Sequence, residues 1–513
     1  MFLDYLILVL YALGMVCIAI YTKNRSKSVD DFLLAGSNGL NGWMSAFAYG
    51  TTYFSAVIFI GYAGNFGKLY GLASVWIGIG NAIIGSLIAW KLLAKRTKNM
   101  TQRLSAKTMP EFFEKRYNSK SLKLVSAVII FIFLIPYSAS VYNGLSSLFE
   151  IVFGIPGWVI MIALAILTAL YLFFGGYFAT ALSDFIQGII MLIGVVLMVI
   201  CFMNRFNWDI STLVLDVEKT WFTFNSSNKG IYGNTVSLIS LILLTSLGVY
   251  GLPQTIHKYY AVRDKKAINQ GMIVSTIFAL IIGFSAYFVG SLSGLFSEAE
   301  ISKEVADNII PQMIKLVIPV GLVGIIAVLI LSASMSTLSS VSLCSASVIA
   351  IDIYKGRVNV DASDKKINAL MRILTLVFVA ISLTLAILNE EFGITAIAYM
   401  MGLSWGTLAG CFFGPFVIGL MSKKVTKPAV WSSIIGSLVL TVFLIIFLGY
   451  DKCDYACSFG MAIKSGIGCS PLIGVICMFY SIVVTIVVSL FTKKPDTETI
   501  YNAFDKKIDN EII

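Results

Sequence analysis

The sequence predicts an all-α polytopic membrane protein with about thirteen transmembrane helices. Three observations predict it. First, 58% of the 513 residues are hydrophobic and only 12% are charged, with a mean hydropathy of +0.88; no soluble core needs so much apolar surface. Second, apolar runs near the ~20 residues that cross a bilayer recur along the chain. They lie at about 2–22, 42–65, 71–90, 124–150, 157–174, 181–203, 233–255, 268–291, 318–351, 372–388, 393–421, 428–448 and 471–491. Third, the basic residues are sorted. With the N-terminus outside, predicted inner segments hold 29 of the 37 Lys and Arg and outer segments hold 8. That is the positive-inside bias, and deleting any one span would scramble it. The net charge of +10 therefore speaks for membrane topology and against nucleic acid.

The first run begins at Met1–Asp4 without a basic leader and is followed by Lys23, Arg25 and Lys27. It reads as a first span and not as a cleaved signal. The second run is interrupted: Tyr49-Gly50-Thr51-Thr52-Tyr53-Phe54-Ser55-Ala56, then Gly61 and Gly64. The seventh is interrupted in a similar way, by Thr245-Ser246-Leu247-Gly248-Val249-Tyr250-Gly251-Leu252-Pro253-Gln254; Pro253 removes a helical hydrogen bond. Each opens a set of five spans, 2–6 and 7–11. Paired, Gly/Pro-interrupted segments at corresponding places in two halves point to inverted repeats around a midplane binding site. Unwound backbone at that depth is tolerated only where it lines a cavity, although glycine kinks are also common in membrane helices.

The sixth span carries an acid, Asp184, after Gly175-Gly176. A carboxylate within a membrane marks an ion path by default; the plainer alternative is a helix cap made with Ser183. The ninth span carries nine hydroxyls in residues 332–347. Small hydroxyl residues make close helix seams. They also offer neutral oxygens to a hard cation. One helical turn brings the Ala333 carbonyl and the Ser336 and Thr337 hydroxyls to the same side, which is half of a sodium site.

The chain has no P-loop, no HExxH and no Cys/His cluster, so neither ATP drive nor enzymatic catalysis is expected. The lone histidine, His257, is expected as a solvated residue in the basic loop His257-Lys258-Tyr259-Tyr260. Cys17, Cys201, Cys344, Cys411 and Cys477 read as inert packing residues. Cys453, Cys457 and Cys469 share one outer loop, where one disulfide would leave an odd thiol. The polar tail, 493–513, is expected to be mobile, and its shortness speaks against an attached signalling domain.

Four blocks taken in order resemble the sodium:solute symporter family over about residues 1–490. They are Gly50–Gly64; Gly175-Gly176 through Asp184-Phe185-Ile186-Gln187; Gly251-Leu252-Pro253-Gln254; and Ala333–Thr337 running into Asp352-Ile353-Tyr354-Lys355. The pantothenate and proline branches look nearest. The resemblance implies a leucine-transporter-like core of two inverted five-helix repeats, at 42–203 and 233–421. An extra first helix (2–22) and two C-terminal helices (428–491) complete a single transport domain (1–491), and a cytoplasmic tail (492–513) follows it. It implies sodium bound by the carbonyls of Thr51, Phe54 and Ala333 and the hydroxyls of Ser336 and Thr337, with Asp184 at the family's acidic position nearby. Solute contacts would come from Ser55, Ala56, Val57, Ile58, Asn81, Tyr250, Pro253, Gln254, Tyr399, Ser404 and Trp405.

The implied activity is sodium-driven import of a small organic solute across the plasma membrane by alternating access, with proline, another amino acid, pantothenate or another small carboxylate as cargo. One chain in the bilayer is the expected working unit, and sodium is the coupling ion, without another cofactor. Proton coupling through Asp184, a uniporter, and a sugar or sialic acid symporter are the alternatives. Two departures bear on the cargo. Tyr53 stands where the proline branch carries aspartate and sugar members asparagine, and Val57-Ile58 stand where the sugar branch uses Glu-Gln.

Overall fold

The computed structural model describes residues 2–22, 29–34, 39–209, 234–302, 305–453 and 455–506. Lys23, Arg25 and Lys27, expected inside, Lys219, Lys229 and Lys303, expected outside, and the tail beyond 506 are not among them. Among the described residues the regular structure is helical, with a single isolated bridge between Leu40 and Val262.

The first helix, α1, spans Phe2–Thr22. Gly42–Tyr53 forms α2, whose start is capped by Asn41 accepting from the Met44 amide. A non-helical step at 54–55 separates it from the helical run that holds α3, Val57–Arg103. A short helix, α4 (Met109–Tyr117), lies before α5, Lys120–Phe153. α6 is the 49-residue run Gly157–Arg205. α7 (Asn234–Leu247) and α8 (Pro253–Tyr260) flank a tight turn at Gly248–Tyr250. α9 is Lys265–Ser291, and α10, Ile309–Val317, lies between it and α11, Val323–Ser347, which continues as a wider π-helical coil to Val358. α12 (Asp364–Phe392), α13 (Ile397–Phe413), α14 (Lys427–Lys452), α15 (Phe459–Ile467) and α16 (Ser470–Phe491) follow. A last short helix, α17, is Thr497–Ile500, extended to Asp505.

Ten of these helical runs are long and apolar enough to cross a membrane, and the pair Thr235–Tyr250 and Pro253–Tyr260, bent by 41°, makes an eleventh crossing. Two of the ten are too long for one crossing. At ~1.5 Å per residue each exceeds twice the ~30 Å hydrocarbon thickness. α6 breaks at Gly176 (φ 58, ψ −155) and α3 at Gly71 (φ 55, ψ −139). Both conformations are open to glycine and costly for other residues. Splitting α3 and α6 there yields the thirteen spans expected from the sequence, with Gly42–Tyr70 as the second. The third runs on past the expected end at residue 90, because no Pro or Gly stops it before Arg103.

α11 is the centre of the bundle. It packs against α1, α2, α5 and α6, and all of its residues but Ile325 and Leu331 are buried; Ser332, Ser334, Ser336, Thr337 and Ser339 are fully so. α9 packs on α2 and α3.

Four expectations are corrected. His257 and Lys258 are not in a solvated loop. Pro253 restarts a helix at its first turn, where its missing N–H costs nothing, and α8 buries both residues. Of the two readings of Asp184, the helix cap made with Ser183 is the one dropped, because the residue lies mid-helix in α6 and pairs with Lys258. The tail is ordered as far as 506: Asp496 caps α17, Asp505 pairs with Lys423 at 2.8 Å, and Phe504 lies under the Arg116 guanidinium at 4.9 Å. Cys17 faces outward from α1, and all eight cysteines are free thiols.

Candidate functional site

The two broken spans meet. The Tyr53 hydroxyl, at the end of α2, donates to the Thr245 carbonyl in α7 at 2.6 Å. Asn81 of α3 joins the same junction, its Oδ1 accepting from the Thr245 hydroxyl at 2.7 Å and the Ser246 hydroxyl at 3.2 Å. The break in the second span follows from its residues. Phe54 is extended (φ −104, ψ 110), and the Val57 amide turns to the Ser55 hydroxyl at 3.3 Å.

Facing this break, the Ser336 hydroxyl of α11 lies 3.1 Å from the Thr51 carbonyl and 3.1 Å from the Ala333 carbonyl. Three of the expected sodium ligands are therefore together, drawn from two helices far apart in sequence. The neighbouring Thr337 hydroxyl is buried with no hydrogen-bond partner. In a helix a threonine can bond back to the i−4 carbonyl, so a sealed, unused hydroxyl on the residue after Ser336 suits a cation. Every member of the set is neutral and oxygen-bearing, the chemistry of a hard ion.

One turn along α11 lies a second polar string. Ser340 sits 2.9 Å from the Thr52 hydroxyl and 2.8 Å from the Lys258 ammonium, which is itself 3.3 Å from Asp184 Oδ2. Asp184 is thus placed next to the expected ion site, but its charge is already met by Lys258.

The expected solute residues divide. Ser55, Ala56, Val57 and Ile58 are fully buried at the break. Trp405 of α13 stacks on Tyr53 with ring centres 6.0 Å apart, and its indole N–H has no partner. Gln254 is buried with Oε1 unpaired, directly after Pro253. The others are engaged elsewhere. Tyr250 donates to the Ile84 carbonyl at 2.9 Å and stacks on Phe413, Ser404 donates to the Phe133 carbonyl, and Tyr399 packs edge-on against Phe66. Sequence reasoning missed Tyr137 of α5. Its hydroxyl faces Ser55, Thr337 and Trp405 without forming a hydrogen bond, and its ring meets Trp405 edge-on at 5.7 Å. The signal was there in Pro136-Tyr137-Ser138-Ala139-Ser140, a proline with polar residues inside an apolar span.

Many helices of membrane-crossing length, two broken spans that meet, and an oxygen-lined cradle between the broken second span and α11 are the arrangement of a secondary transporter. Residues 32–436 match the profile of the sodium:solute symporter family, and the chain belongs to that family. It is similar to the osmoregulated proline transporter OpuE of Bacillus subtilis, at 28% identity over 499 residues, 95% of this chain and 94% of that one. It is also similar to the sodium/proline symporter of Escherichia coli K12, at 28% identity over 449 residues, 84% and 86% of the two chains. A solved Na+-coupled sialic acid symporter in a substrate-bound, outward-open state matches with a TM-score of 0.73 at 19% identity, covering 97% of this chain and 99% of that one. MhsT in complex with L-phenylalanine matches at a TM-score of 0.50 and 13% identity, over 87% and 100%. The fold is therefore the leucine-transporter-like core of two inverted five-helix repeats expected from the sequence.

Proposed function

We propose that this protein imports a small organic solute together with sodium by alternating access. The observation that carries the reading is the Ser336 hydroxyl set between the carbonyls of Thr51 and Ala333 at 3.1 Å each. It joins the broken second span to α11 at the point where a cation would bridge them. Thr51, Ala333, Ser336 and Thr337 are the ligands in this reading, with Phe54 completing the set from the break and Asp184 serving the inward side. The repeats are assigned to 42–203 and 233–421. The plasma membrane is the assigned site, with the N-terminus outside and the C-terminus inside.

Sodium entering down its gradient supplies the work. A charge crossing the membrane contributes about 2.3 kcal/mol per 100 mV, and a tenfold gradient adds ~1.4 kcal/mol. One sodium can therefore concentrate a neutral solute several-hundredfold. Sodium bridging two bundles raises solute affinity, and by linkage solute raises sodium affinity by the same factor.

The proposed solute lies against Ser55, Ala56, Tyr137 and Trp405. That lining is neutral and aromatic, with unpaired donors at Tyr137 and Trp405. It suits a small solute without net charge, such as a zwitterionic amino acid. The similarity to proline transporters supports that class, and Tyr53 in place of the aspartate of the proline branch leaves room for another amino acid or a small carboxylate.

Uptake into proteoliposomes tests the reading. Proline, other amino acids, pantothenate, short monocarboxylates, hexoses and sialic acid are each supplied with an inward sodium gradient, then with a proton gradient and no sodium. Accumulation only with sodium is expected. Accumulation with protons alone would move coupling to Asp184 and reduce Ser336 and Thr337 to packing residues.

A further inference from the structure

Lys258 has no place in the transport scheme above, and its position is costly. Its side chain is 2% exposed and that of Asp184 is fully buried. A buried ion pair is weak evidence for stability, because removing two charges from water offsets most of their attraction. An apolar pair would fill the same space at least as well.

Its location is specific. The ammonium lies 2.8 Å from Ser340 and 3.3 Å from Asp184, and Ser340 is 2.9 Å from Thr52. Thr52 follows Thr51 in the chain, and Ser340 lies one turn below Ser336, about 6 Å along α11. The ammonium therefore occupies the next rung of oxygens below the proposed sodium ligands, on the side toward Asp184. The Tyr177 ring lies beneath it at 5.2 Å.

Two further observations give the pair a use. Asp184 Oδ1 is buried without a hydrogen-bond partner, so the carboxylate retains ligand capacity that Lys258 does not take. Lys258 also rides on α8, an eight-residue segment set at 41° to the preceding helix across the Gly251–Leu252 step. Moving that segment withdraws the ammonium without unfolding α6 or α11.

From this geometry we propose that Lys258 is a resident cation that competes with transported sodium for Asp184 and Ser340. The proposal rests on the sodium-coupled reading above. A compact ammonium and sodium both seek hard oxygen donors, and two positive charges on one buried carboxylate and one hydroxyl repel each other. Sodium passing inward from Ser336 and Thr337 reaches Asp184 as Lys258 leaves it. That exchange moves α8 and couples sodium release to opening of the inner side, and the return of Lys258 expels sodium and resets the pair.

The test is sodium binding to the purified full-length protein, with Lys258→Gln, Lys258→Met and Lys258→Arg made alone and in an Asp184→Asn background. Lys258→Gln keeps N–H donors for Asp184 and Ser340 without the charge, so it stays measurable if Lys258→Met does not accumulate. Loss of the charge is expected to lower the half-saturating sodium concentration by about tenfold while slowing solute turnover. Lys258→Arg is expected to keep the wild-type sodium affinity, and the effect of Lys258→Gln is expected to vanish when Asp184 is Asn. Wild-type sodium binding that Lys258→Gln leaves unchanged, or an equal effect in both backgrounds, overturns the exchange alone. No sodium binding by the wild type overturns the coupling and the exchange together.

Discussion

The Lys258 ammonium lies 3.3 Å from an Asp184 carboxylate oxygen, deep in the bundle, between helices that also carry the proposed sodium ligands. Breaking such a pair from one side strands an uncompensated charge in the buried interior. Asp184→Asn is therefore expected to destabilise the protein by about 3–5 kcal/mol, seen as a lower melting temperature in detergent. Adding Lys258→Met to that variant is expected to restore most of the loss. Equal melting temperatures for wild type and Asp184→Asn would show that the pair carries no such strain.

Ser336→Ala removes the hydroxyl set between the Thr51 and Ala333 carbonyls, and Thr337→Ala removes the unused one beside it. Each is expected to raise the half-saturating sodium concentration by about tenfold, equivalent to ~1.4 kcal/mol, with protein levels little changed. Sodium titration of uptake, normalised to the amount of transporter, reads this directly. An unaltered sodium dependence in both variants would refute the ligand assignment.

Trp405→Phe and Tyr137→Phe delete unpaired donors beside the break while keeping most of the ring packing against Tyr53 and each other. The loss of a donor to bound solute costs about 1 kcal/mol. The half-saturating solute concentration is expected to rise about fivefold in each variant. Sodium binding without solute should stay as in the wild type for Trp405→Phe. A solute affinity unchanged by both would place the solute elsewhere.

Asp307 lies in the short segment before α10, outside the membrane-spanning helices, and accepts from the Ile397 amide at 3.1 Å. Burial of its carboxyl pushes the pKa up from 3.8 to about 6, against the lowering effect of the Ile397 bond. The folded protein thus holds this proton where the unfolded chain has lost it. Its contribution disfavours the folded state above pH 6 and is relieved as pH falls from 6 toward 4, by at most about 3 kcal/mol. Asp307→Asn is expected to flatten the pH dependence of the melting temperature in that window, relative to wild type. The same slope in both proteins would rule this out.

Much of the candidate site was legible in the residues. Ser336 and Thr337 stood out because nine hydroxyls in sixteen residues of an apolar span are unusual, and Thr51 and Ser55 because glycine and hydroxyls interrupt the second run. Asn81 was found, but its role was not: its Oδ1 braces the second break through Thr245 and Ser246. Tyr250 and Ser404 carried the right chemistry, yet their hydroxyls are spent on the Ile84 and Phe133 carbonyls. Which acceptor a hydroxyl reaches depends on the neighbouring helix, and no local pattern encodes it. The ordered tail was missed for a related reason, since Phe504 sits in a polar stretch until Arg116 and Lys423 are placed around it.

By itself, the sequence determined the membrane class, the thirteen spans, both breaks and the hydroxyl-rich ninth span. These depend on hydropathy, on glycine and proline, and on helical spacing, which act over a few residues at a time. Only the tertiary structure decided that Lys258 is a buried partner of Asp184, 74 residues away. It also decided that the loop expected around His257 is a helix and that Tyr137 lies against Trp405 beside the break. Each of these is a contact between elements distant in the chain, and its energy comes from burial and charge pairing that exist only once the helices have packed.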